Sequence, residues 1–328
     1  MESAGVPEDR QDAGRRRDFR PVGTDAGRSV WATVKRTVQE FQEDNMTDWA
    51  AALTYYGLLS LFPALIALVS LVGIFADPKE TTKTITEIVT GIGPASAADT
   101  FRGPINSITS NRETAGLLFF VSLGAALWSA SGYIGAFTRA SNIVYETPEG
   151  RPFWKLRPLQ IAVTLAMVIM LALVALALAL TGPVVEAVAD PIGVGDTAIT
   201  IWSIAKWPVL LATVITMIAV LYYATPNVKL PGFRWITPGA ILAIAVWLLA
   251  SIGFALYVSQ FGAYDKTYGT LGGLVVLLIW LWISNCALLL GHELNAERER
   301  SRELEEGLPA ERELQLEPRD EPDRPRTT

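Results

Sequence analysis

Six long stretches almost free of charge leave this chain few ways to fold. They run over residues 49–76, 115–138, 159–181, 202–223, 237–259 and 271–291, and Lys206, one turn into the fourth, is the single charge inside them. Each matches the roughly 20 residues of helix that cross a hydrocarbon core about 30 Å thick. Lipid cannot satisfy exposed backbone groups, whereas a helix satisfies its own. Composition agrees: 51% of residues are hydrophobic and mean hydropathy is +0.32, with the charges behind the net −6 crowded into both ends and a few loops. The expected fold class is an all-α integral membrane protein with six transmembrane helices. Residues 1–26 are expected to be a disordered cytoplasmic N terminus, 27–297 the membrane domain and 298–328 a charged, Pro-rich cytoplasmic tail, helical at first and disordered beyond; the arginine clusters at both ends suit anionic lipid, but the interspersed acids favour a solvated tail. The first span is expected to serve as its own uncleaved signal.

Lys and Arg near span ends set orientation. One side carries Arg28, Lys35, Arg36, Arg139, Arg151, Lys155, Arg157, Lys229, Arg234, Arg298, Arg300 and Arg302; the other carries Lys79, Lys83, Arg102, Arg112, Lys266 and, if it snorkels outward, Lys206. Twelve against six predicts both termini in the cytoplasm. Trp31, Trp49, Trp154, Trp202 and Trp235 fall near predicted boundaries, where interfacial anchors belong.

Between the spans, Trp31, Val34, Val38 and Phe41 recur at helical spacing around Lys35 and Arg36. That pattern fits an amphipathic helix lying on the membrane surface or packing on cytoplasmic loops. The segment from Asp77 to Thr114 carries two further short amphipathic patterns, Ile85 to Ile92 and Phe101 to Ile108, either of which suits a lid or a shield for span ends.

One cysteine, Cys286, rules out an intrachain disulfide, and one histidine, His292, rules out a multi-histidine metal site within the chain. His292-Glu293 lacks the second histidine of a zinc-protease motif, since that position is Ala296. No catalytic, cofactor or metal site is expected, and the chain is read as a non-enzyme that does not bind nucleic acid. The expected partners are membrane lipids, with a second copy or an envelope protein as a further possibility.

The candidate functional residues are polar or helix-breaking groups in or beside the spans, because each costs free energy there unless partnered or hydrated. Tyr55 and Tyr56 precede Pro63, whose missing N–H frees the carbonyl of Leu59 and should kink the first span. Ala125, Ser129, Gly132 and Ala136 form a small-residue stripe for close helix approach. Arg139 and Asn142 continue that helix at its cytoplasmic end, placed for a phosphate or carboxylate. Trp280 and Trp282 sit near mid-depth, and Asn285 is the strongest candidate for a buried polar contact. For each, packing competes with a cavity-lining role.

The run Ala51-Ala52-Leu53-Thr54-Tyr55-Tyr56-Gly57-Leu58-Leu59-Ser60-Leu61-Phe62-Pro63 resembles the first-span signature of the YihY/BrkB family. The resemblance continues through Arg139-Ala140-Ser141-Asn142, Arg151-Pro152-Phe153-Trp154, Leu221-Tyr222-Tyr223-Ala224-Thr225-Pro226-Asn227, Pro238-Gly239-Ala240, Tyr268-Gly269 and Gly291-His292-Glu293-Leu294-Asn295. Together these blocks cover residues 28 to 297 in order. The resemblance implies six spans in a bacterial inner membrane and a role in envelope integrity or transport of lipid or small solutes. It also implies that the historical name ribonuclease BN is a misassignment. His292 stands where the family's last block usually carries alanine, so it is not among the residues the resemblance assigns.

Overall fold

The computed structural model describes residues 30–75, 112–179, 196–259 and 270–322. Among them lie seven helices and no strand: α1 (Val30–Glu43), α2 (Met46–Phe75), α3 (Arg112–Val144), α4 (Phe153–Ala179), α5 (Asp196–Ala224), α6 (Pro238–Ser259) and α7 (Thr270–Glu305). The expected disorder of residues 1–26, the amphipathic patterns before Arg112 and the packing of the Pro63 side chain lie outside what is described.

Helix starts follow local chemistry. α6 opens on Pro238, and the Thr237 hydroxyl accepts the Ala240 N–H at 3.1 Å, so Thr237 caps the helix. α7 runs well past the apolar run ending at Gly291, because His292 to Glu305 find partners on α1 and the loops. α5 continues through Pro208, giving up the bond that position would make to Ile204.

Four helices, over residues 153–174, 199–224, 238–259 and 272–305, are long and apolar enough to cross a membrane; only described residues enter that count. Their apolar surface is largely unburied: 6% of the α6 window is covered, and Leu249 is 71% and Ile204 68% exposed. Water would penalise such a surface and hydrocarbon accepts it. Lipid is therefore the solvent that the fold requires.

The protein core sits at one end of the bundle. Met46, Ala50 and Leu53 of α2 meet Ile134, Phe137 and Ala140 of α3, Val163 of α4, Leu221 of α5, Ala240 of α6 and Leu289 of α7 there. The closest packing pairs α2 with α3 and α6 with α7. Gly132 and Ala136 of the small-residue stripe lie inside this core, and a Cβ on Gly132 would come within 3.1 Å of the Tyr56 ring. Ala125, higher in the same stripe, is exposed. The α6–α7 crossing is tighter still, since a Cβ on Gly239 would sit 1.9 Å from the Gly291 carbonyl.

α1 lies against α7. Its polar face, Thr33, Thr37 and Glu40, is buried, with Thr33 bonded to Ser301 of α7, while Trp31, Val34 and Val38 face outward. Residues 306–322 are anchored to the rest of the protein at several points, while most of their side chains stay exposed. Ala310 is fully buried, Val228 pairs with Pro318, and Lys229 donates its N–H to Glu317 at 2.8 Å. Backbone bonds and buried side chains from distant loops hold a segment whose composition alone reads as polar.

Candidate functional site

The polar end of the bundle collects sequence blocks that are far apart along the chain. Asn142, at the end of α3, accepts the Asn227 N–H at 2.8 Å and donates to Glu149 at 2.9 Å. Glu149 in turn receives the Arg151 Nε at 2.8 Å, and Arg151 Nη2 donates to the Thr225 carbonyl at 2.7 Å. Burial alone would raise the Glu149 carboxyl, but the side-chain and backbone bonds from Arg151, with Asn142, hold it below the usual carboxylate range. Asn227 reaches the tail, donating to the Asp320 carbonyl at 2.9 Å. Four segments are thus tied through one buried hub.

A second network joins α1 to α7. Glu297 is bound by Arg36 at 2.8 Å and by Arg300 at 2.7 Å, and Arg300 also reaches Glu146 at 3.2 Å. Glu297 and Arg300 are almost wholly buried, so loss of either would leave an uncompensated charge. A third contact pins α6: Asn295 accepts the Gly239 N–H at 2.9 Å and donates to the Thr237 hydroxyl at 3.0 Å.

Among the described residues, those singled out from sequence fall in several separate settings. Asn285 is buried, accepting from the Tyr133 hydroxyl at 2.8 Å and donating to Thr54 at 3.1 Å, so its amide joins α2, α3 and α7. Arg139 is exposed, with its guanidinium 5.9 Å from the Tyr56 ring. Tyr55 is 58% exposed and edge-on to Tyr56. Asn142 belongs to the hub described above. Trp280 and Trp282 are accounted for by bonds to Ser251 at 3.3 Å and to the Thr47 carbonyl at 3.1 Å. His292 is fully buried, its ring 4.5 Å from Tyr222 and 5.3 Å from Tyr145, and neither ring nitrogen has a hydrogen-bond partner.

Beside these networks lies a half-open cavity of about 530 Å³ between α1, the α5–α6 loop and the polar end of α7. Tyr145, Tyr222, Tyr223, Leu230 and Leu294 line part of it, and Arg234, Arg298 and Arg302 line another part with Glu299 and Glu305. Sequence reading used Arg234 only as an orientation signal, and weighed the tail arginines, Arg298 and Arg302 among them, for anionic lipid but favoured solvent. The available signal was spacing: Arg298 and Arg302 stand four apart on one helix, one turn beyond Asn295. Among the described residues, no group of three His, Cys, Asp or Glu side chains is placed to hold a metal ion.

A bundle of long lipid-exposed helices closed at one end by buried polar networks defines a polytopic α-helical membrane protein. The family model of the virulence factor BrkB matches residues 37–315, and the chain belongs to that family. A ribonuclease-like protein of Bacillus subtilis, YfkH, is 37% identical over 248 residues, which is 75% of this chain and 88% of that one. A UPF0761 membrane protein of Rhodospirillum centenum is 27% identical over 80% of this chain and 56% of its own length. Another, from Aeromonas salmonicida, is 25% identical over 78% of this chain and 85% of its own. No solved structure matches the chain.

Proposed function

We propose that this protein is a six-span inner-membrane protein, with both termini in the cytoplasm, that moves or hands on a lipid or other small amphiphile without covalent chemistry. The observation that supports this reading is the cavity at the polar end. It combines tyrosine and leucine walls with arginines, and it opens where the long apolar helices meet the α5–α6 loop and the polar end of α7. That is the depth at which an amphiphile presents head and chain together.

The ribonuclease-like wording attached to the Bacillus relative is not extended to this chain. Its sole histidine, His292, lies fully buried among aromatic rings and out of reach of a dissolved substrate. A scaffold that recruits envelope proteins through helices and tails is the alternative reading, and it loses much of one surface because residues 306–322 dock on the protein's own loops.

The test is reconstitution of the full chain into liposomes, with transbilayer movement of fluorescent phospholipids and leakage of small solutes both followed. Movement above protein-free vesicles is the expected result. Vesicles that hold both lipid and solute as tightly as the blank would remove transport.

A further inference from the structure

Within the cavity, the three arginines are not equivalent. Arg302 is already engaged by Glu299 and lies 3.5 Å from Glu306. Arg234, on the α5–α6 loop, and Arg298, on α7, are exposed, and neither makes an ion pair among the described residues. Two guanidinium groups from different elements therefore face the same space with their donors uncommitted. Guanidinium carries five donors in a planar fork suited to the oxygens of a phosphate.

The surroundings narrow the ligand further. The loop that carries Arg234 also exposes Phe233 at 47%, Trp235 at 63% and Ile236 at 62%. Across the cavity, Val34 of α1 belongs to the outward apolar face that includes Trp31 and Val38. Tryptophan and apolar side chains beside arginine are the composition of a surface seated at headgroup level. A dissolved anion would be served by the arginines alone and has no use for such a rim. The cavity volume, near 530 Å³, lies within the range of small-ligand sites, so it suits a headgroup and the start of its chains while the rest stays in the bilayer.

We propose that this cavity binds the phosphate-ester headgroup of a membrane amphiphile, with Arg234 and Arg298 gripping the phosphate and the Phe233–Ile236 rim resting against the chains. The assignment rests on the reading that an amphiphile enters at this end of the bundle. It names the chemistry that would be recognised there.

The test is native mass spectrometry of the full chain in a neutral detergent, titrated separately with dioleoyl phosphatidylglycerol, dioleoylglycerol and glycerol 3-phosphate. Phosphatidylglycerol should give a saturable single adduct. Dioleoylglycerol, which lacks the phosphate, and glycerol 3-phosphate, which lacks the chains, should each bind about tenfold more weakly or worse. The double variant R234Q/R298Q should lose phosphatidylglycerol affinity by about tenfold or more, with its thermal unfolding unchanged because both side chains are exposed. K229Q, which removes the exposed pair between Lys229 and Glu317, should bind as the wild type does.

Equal phosphatidylglycerol affinity in R234Q/R298Q and wild type would overturn the assignment, as would dioleoylglycerol binding as tightly. Glycerol 3-phosphate binding as tightly as the lipid would also overturn it, in favour of a site for a soluble phosphate. Arginine-dependent binding in a protein that moves nothing across liposomes would remove transport and leave this site standing. Transport with arginine-independent binding would remove the site alone.

Discussion

The crossing of α6 and α7 offers the sharpest structural test, through Gly291→Ala. A Cβ at that position would lie 2.3 Å from the Gly239 carbonyl, 2.7 Å from the Tyr222 hydroxyl and 2.8 Å from the Ala243 Cβ. Ordinary contact begins near 3.4 Å, so the two helices must separate by about 1 Å. The nearest obstacle is backbone, which has no alternative rotamer. Separation would stretch the bond from the Gly239 N–H to Asn295, now 2.9 Å, and the bond from Tyr222 to the Leu288 carbonyl, now 2.6 Å. Overpacking costs about 1–3 kcal/mol and each weakened hydrogen bond about 1 kcal/mol, so a loss of about 3 kcal/mol is expected. At roughly 2–4 °C per kcal/mol for a domain of this size, Tm should fall by about 6–12 °C. Cys286, the only cysteine and half-buried on α7, lets a thiol-reactive fluorophore report unfolding in detergent. Gly253→Ala on α6 is the control, because nothing lies within 4 Å of its missing Cβ and helix propensity favours alanine. Should Gly291→Ala unfold at the wild-type temperature, the close crossing would be wrong.

Two further outcomes are expected. Gly150→Ala would place a Cβ 2.0 Å from the Asp320 carbonyl, so the tail should lift from its seat, and limited proteolysis should cut beyond Ala310 in the variant while sparing the wild type. Burial raises the Glu40 carboxyl to about 7 against the pull of Arg300, with Glu297, Asp44 and Glu43 adding to the rise. The folded chain then holds that proton more tightly than the unfolded one, so this contribution to stability is full below 4.5, declines as pH climbs, and is gone above about 7. Glu40→Gln imitates the protonated acid; it should therefore raise the free energy of unfolding over wild type at about pH 8, by about 1–3 kcal/mol after allowance for screening, with the gain vanishing near pH 4.5.

What the sequence made legible follows from how local each signal is. Long apolar runs are read residue by residue because lipid solvation acts on each side chain separately, and each run lies almost wholly within a helix, though α7 continues well beyond its own. The start of α6 is local in the same sense, because the Thr237 cap needs only a neighbour three residues on. Asn285 stood out as an amide in an apolar stretch, where it must find partners, and Tyr133 and Thr54 supply them. The tail was illegible for the opposite reason. Its contacts with Glu146, Asn227 and Glu303 span large separations and use backbone groups, which leave no periodicity. Arg234 was hidden by a second role, since the same charge reports orientation, and the acids interspersed with Arg298 and Arg302 made the tail read as solvated. Arg139 and Asn142 are only three residues apart, yet one faces outward over Tyr56 and the other turns into the hub, a difference set by α4, α5 and the tail rather than by α3 itself.

The account turns on which side of the membrane holds the polar end. In a Cys286→Ser background, single cysteines introduced by Leu308→Cys and Ser259→Cys would mark the tail and the far end of α6, both exposed sites. A membrane-impermeant maleimide should label the Leu308 position only in inside-out vesicles and the Ser259 position only in intact spheroplasts. Labelling of both positions from the same side, or of the Leu308 position in intact spheroplasts, would contradict the arrangement.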